Sequence, residues 1–104
     1  MSPVVFHILL GLKDEPRDAE GIVSRMRELG RESAPSLASF YRALRTALDE
    51  GLLEILDPAG EGRRGRPRQR YRITGAGKDA LAAEARRLGR LAKLALGGAG
   101  VDRE

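Results

Sequence analysis

The chain has no cysteine, no tryptophan and a single histidine in 104 residues. Without cysteine there is no disulfide framework, no thiolate zinc site and no thiol nucleophile. His7 is the only imidazole, and neither a glycine-rich phosphate loop nor a cluster of carboxylates accompanies it. The groups that run a reaction are therefore missing, and no enzyme activity, metal or other cofactor is expected. In a run as apolar as its own, His7 is read as a packed side chain bonded to a carbonyl. Phe6, Phe40, Tyr41 and Tyr71 are the only aromatics, too few for a platform on which bases stack. The longest apolar stretch, Val4–Leu12, is too short to span a bilayer. It also lacks the basic flank and cleavage site of a secretory signal, so a cytoplasmic protein without membrane contact is expected.

Positive charge, by contrast, is concentrated. Lysine and arginine number 19 against 15 aspartates and glutamates, a formal surplus of four. That favours polyanionic partners but is no histone-like excess, so the placement of the charge matters more than its total. Six arginines fall in ten residues, Arg63 to Arg72 (RRGRPRQRYR). Pro58, Gly60, Gly62, Gly65 and Pro67 lie before and among them, and short β-like runs flank the segment at Leu52–Leu56 and Gln69–Thr74. Like charges repel, and glycine and proline bury little. Such a hairpin tip is held out toward something negative, which for a small basic protein points to a phosphate backbone.

At this length the chain forms one core. Ser2 and Pro3 suit the start of a helix through Leu12 that is apolar almost all round, an early hint of a partner. Pro16 ends that region. Asp18 can cap a second helix to about Leu29, with Ala19, Ile22, Val23, Met26 and Leu29 inward. A third helix runs from a Ser36 cap to Glu50, burying Leu37, Phe40, Leu44, Ala47 and Leu48, and Gly51 stops it. The two strands and their arginine-rich loop follow. Thr74 can cap a last helix to about Leu96, although Gly75 and Gly77 make a weak first turn. Its roughly nineteen regular residues reach about 28 Å, more than a body this size needs to cover its own core. The expected fold is mainly α with a two-stranded β-hairpin. A winged helix-turn-helix occupies 1–74, a dimerisation helix 75–96 and a disordered tail 97–104.

The stretches Pro3–Leu12 (PVVFHILLGL), Phe40–Leu53 (FYRALRTALDEGLL) and Gly65–Gly77 (GRPRQRYRITGAG) resemble the PadR family of winged-helix transcriptional regulators, of the short kind with one C-terminal helix. The resemblance covers nearly everything from Ser2 to about Leu96. It departs from the family pattern in two places. Asp18-Ala19-Glu20-Gly21 stands where a His-Gly-Tyr-like run usually opens the second helix, and Leu37-Ala38-Ser39 stands where Pro-Gly-Thr usually precedes the tyrosine. The resemblance implies that Ser39, Tyr41 and Arg45 face DNA. It also implies that a small apolar or aromatic effector can bind at a dimer interface, a pocket this chain supplies poorly with aromatics.

Read from the residues, the third helix leaves Ser36, Ser39, Arg42, Arg45 and Thr46 on its outer side. Arg42 and Arg45 are three apart and can read guanine edges or grip phosphates, while the serines sit near the helix N-terminus, which suits phosphate. The competing reading pairs these arginines with Asp49 and solvent. Arg63, Arg64, Arg66 and Arg68 form the second expected contact. Arg64-Gly65-Arg66-Pro67 reproduces the core of an AT-hook, which slides into a narrow minor groove. Its bland counterpart is a loop that screens Glu61 and Asp57. Leu81, Leu88, Leu91 and Ala95 on the last helix, with Val5 and Leu9 on the first, are the candidate homodimer interface. The leading expectation is a homodimeric repressor reading a palindrome on double-stranded DNA. A non-specific nucleic-acid binder and a protein-interaction winged helix are the alternatives.

Overall fold

A computed structural model describes residues 1–30, 35–56 and 69–97. Four helices and a small sheet follow one another as α1 (Pro3–Gly11), β1 (Arg17–Asp18), α2 (Ala19–Glu28), α3 (Leu37–Asp49), β2 (Leu53–Ile55), β3 (Arg70–Ile73) and α4 (Gly75–Leu96). Each helix opens on a side-chain cap that satisfies an otherwise orphaned N–H. Ser2 accepts from Val5 N, Asp18 from Gly21 N, Ser36 from Ser39 N and Thr74 from Gly77 N. Pro3 takes the first helical position of α1. Helix α3 ends in a Schellman turn, with Leu52 N donating to the Ala47 carbonyl and Gly51 N to that of Leu48. Gly51 carries the positive φ of 75° that this turn requires.

The sheet is antiparallel in the order β1-β3-β2, which corrects the expected two-stranded hairpin to three strands. The added strand is only Arg17–Asp18, paired with Tyr71 and Arg70. Pro16 ends the preceding turn and releases the next residues into extended backbone, where Asp18 serves at once as a strand partner and as the cap of α2. Two residues carry no periodicity, so nothing in the sequence marked them.

The core collects Val5, Ile8, Leu9 and Leu12 from α1, Ile22 and Met26 from α2, Phe40, Ala43, Leu44 and Ala47 from α3, then Leu53, Tyr71, Ile73 and Leu81. Helix α1 lies at its centre and packs against α2, α3 and α4. Part of its apolar surface is thereby covered by its own chain, while Val4, Phe6 and Leu10 stay half-buried. Val5 and Leu9 are accordingly buried within the monomer, which corrects their assignment to a dimer surface. His7 is half-buried, with Nδ1 placed to donate to the Pro3 carbonyl at 2.8 Å. All but the first residue of the expected tail lies outside the described residues, and Gly97 caps α4.

Candidate nucleic-acid interface

Helix α3 is amphipathic by position. Phe40, Ala43, Leu44 and Ala47 face the core, and the opposite side carries Ala38, Arg42, Arg45 and Asp49, all exposed. Arg45 lies against Asp49 one turn on, Nε to Oδ1 at 3.4 Å, with both side chains largely in solvent. A pair this open is worth ~1 kcal/mol or less and exchanges readily for a phosphate or a base. Arg42 has no acidic partner among the described residues. Ser36 is exposed, its Oγ occupied as the cap at 3.1 Å from Ser39 N. Tyr41 is about half exposed, its ring edge-on to Phe40 with centroids 5.2 Å apart.

Ser39 departs from the expected arrangement. It is half-buried and, with Arg42, Thr46 and Glu50, borders a cleft of about 360 Å³ between α3 and the start of α1. The structure thus brings Ser36, Tyr41, Arg42 and Arg45 onto the outer surface of α3 and turns Ser39 toward its flank.

Leu37 reverses its expectation. It was read as core, yet 72% of it is exposed. As the first residue of α3 it precedes the turn at which the helix packs on α1, and Phe40 is the first residue of α3 to be buried. The departure from the PadR pattern at residues 37–39 was the one sequence signal at this site.

On the sheet, Arg70 and Arg72 alternate with buried Tyr71 and Ile73, as β-periodicity dictates. The two arginines differ in kind. Arg72 faces Glu54 across the strands and donates twice to it, Nε at 2.8 Å and Nη2 at 2.5 Å. Arg70 has no acidic partner among the described residues. Burial, with a lesser contribution from Tyr41, pushes the Tyr71 phenol above its ordinary range, and its hydroxyl donates to Gln69. Arg63, Arg64, Arg66 and Arg68 lie outside the described residues.

Helix α4 begins in the core and then leaves it. Leu81 is buried, which moves it from the expected interface into the fold, whereas Leu88 and Leu91 are 38% and 47% exposed, Leu94 is more open still and Ala95 is exposed. Beside Leu88, the Arg87 guanidinium donates to Glu84 and holds its carboxyl below the usual carboxylate range. Among the described residues no group of His, Asp or Glu could hold a metal ion, and no helix is long and apolar enough to cross a membrane.

No protein-family model and no curated protein sequence matches the chain. Solved structures do. A PadR family transcription regulator from Clostridium difficile superposes with a TM-score of 0.76 at 22% identity, over 89% of this chain and 94% of that one. A PadR-like transcription factor from Bacteroides fragilis gives 0.72 at 25% identity, over 85% and 82%. The fold is PadR-like. Bacillus subtilis PadR, solved in complex with operator DNA, matches the whole of this chain at a TM-score of 0.69 and 18% identity. The match spans about half of that longer protein (52%). Within the PadR-like frame α3 is the second helix of the helix-turn-helix, β2 and β3 are the strands of the wing, and α4 is the C-terminal helix.

Proposed function

We propose that this chain is a sequence-specific DNA-binding transcriptional regulator that acts as a homodimer and represses by occupying a palindromic operator. The observation that carries the reading is the outer face of α3, where Arg42 has no acidic partner among the described residues and Arg45 is held only by an open pair. This face belongs to a fold shared with a protein solved on operator DNA. Helix α3 enters the major groove, Arg42 and Arg45 read guanine edges or grip phosphates, and Tyr41 and Ser36 steady the backbone. Ser39 acts at the flank. Two copies joined through α4 set their α3 helices roughly 34 Å apart, one turn of DNA. An effector, if one is bound, acts on that pairing.

The arginine segment supplies the sequence-independent part of the affinity. Replacing Arg64 and Arg66 by alanine should weaken binding to every duplex alike and flatten the plot of log affinity against log salt by about two units, one per lost phosphate contact. The measurement is anisotropy of a labelled duplex across a salt series, and an unchanged slope removes the wing from the interface.

The reading as a whole is tested with the DNA upstream of the chain's own gene and a duplex selected from random sequence, each against scrambled competitor at about 150 mM salt. A preference of ~10³ or more, saturating at two chains per duplex, is the expected result. Equal affinity for all duplexes would favour the non-specific binder, and no binding the protein-interaction module.

A further inference from the structure

Leu37 is an exposed apolar residue at the head of the helix assigned to the major groove. The fold gains little from it. Ser36 already caps the helix, and at 72% exposure Leu37 forgoes most of what its burial could contribute. Its neighbours sort the surface of α3 into two halves. Leu37, Ala38 and Tyr41 make the N-terminal half uncharged, while Arg42 and Arg45 make the C-terminal half cationic. Leu37 and Tyr41, one helical turn apart, stand on the rim of a shallow groove whose other wall is α2, with Glu20 and Arg27 among its residues. Neither Leu37 nor Ala38 has a side chain that can pair with a phosphate, so a base edge is the better neighbour for Leu37.

We propose that Leu37 reads the 5-methyl group of a thymine and is a specificity-determining residue; this rests on the DNA-binding reading above. The first residues of a recognition helix are those that meet base edges. In the major groove only thymine offers a methyl group, and apolar side chains are its partners. Leucine neither donates nor accepts a hydrogen bond. Against a guanine or adenine edge it would leave the N7 acceptor dry and unpaired, so the same side chain favours thymine and disfavours purines. Tyr41, at the i+4 position, lies on the same rim.

The test uses the duplex selected from random sequence. Each thymine is replaced in turn by deoxyuridine, which deletes the methyl and nothing else. Burying one methyl is worth ~0.8 kcal/mol, so one thymine per half-site should show a loss of about fourfold with the wild-type chain. Leu37→Ala should bind the thymine and deoxyuridine duplexes equally, with its thermal midpoint unchanged because the position is exposed. Leu37→Gln should shift the selected base there from thymine toward adenine, which glutamine meets with two hydrogen bonds. The proposal is overturned if no thymine shows the loss, or if Leu37→Ala keeps it in full. In either case specific binding itself survives, which separates this failure from that of the DNA-binding reading. A chain that selects no sequence would take both down together.

Discussion

Replacing Gly77 by alanine should lower the stability of the protein by about 3 kcal/mol. The residue lies in the first turn of α4 and is buried, and a Cβ built on it would collide with the Leu52 carbonyl oxygen and stand 2.8 Å from Ile73 Cγ1. The carbonyl cannot step aside. Leu52 O already accepts from Thr74 N at 3.0 Å, and the Thr74 hydroxyl donates to the Gly51 carbonyl at 2.7 Å while capping α4 through Gly77 N. The end of α3, the sheet and the start of α4 therefore meet at one knot of backbone, and only a residue without a side chain fits inside it. Overpacking typically costs 1–3 kcal/mol, and a clash against fixed backbone belongs at the upper end. With roughly 4–8 °C per kcal/mol for a chain of this size, the thermal midpoint should fall by about 12–24 °C.

Gly89 is the internal control. It sits in the exposed middle of α4 with nothing within 4 Å of its missing Cβ. Gly89→Ala should therefore stabilise the helix by up to ~1 kcal/mol. Circular dichroism melts of the two variants decide the matter. A Gly77→Ala protein that melts with the wild type would mean that the three elements do not touch there.

The contrast between these two glycines shows what the sequence could carry. Local rules found the caps, because Ser2, Asp18, Ser36 and Thr74 announce themselves by chemistry. They also found the Gly51 stop, because a left-handed residue after a periodic run has few other meanings. What went astray depends on long-range packing. Gly77 reads as a weak helix start until Leu52, distant in sequence, is seen above it. Val5 and Leu9 read as partner surface until α2, α3 and α4 are seen packed on α1. Leu37 reads as core because a helical wheel does not know which turn reaches the neighbour. At the interface the same division holds: residue types selected Arg42 and Arg45 and offered Asp49 as a partner, but only the folded structure shows that Arg45 and not Arg42 leans on it and that Arg72 is taken up by Glu54.

Those corrections narrow the proposed dimer surface and make it more fragile. With Val5, Leu9 and Leu81 enclosed in the monomer, the seam falls to the far part of α4, where Leu88 and Leu91 are the partly exposed leucines nearest the body. Two copies contribute four such side chains, at most ~1.5–3 kcal/mol each and less because they are already half covered. The gross gain is of the same order as the 4–15 kcal/mol that association is thought to cost. A pairing with so little reserve should not survive Leu88→Asp, which removes two of the four contacts and sets two carboxylates against one another in an apolar seam. Light scattering after gel filtration at micromolar concentration should return the mass of one chain. The helical signal should be largely kept, since Leu88 lies outside the buried core. Specific DNA binding should fall by 10² or more, because a monomer loses the effective concentration that tethers the second α3 to its half-site. Binding to a single half-site should persist. A variant that remains dimeric would put the seam on another face, with Leu94 and Leu96 the next residues to change.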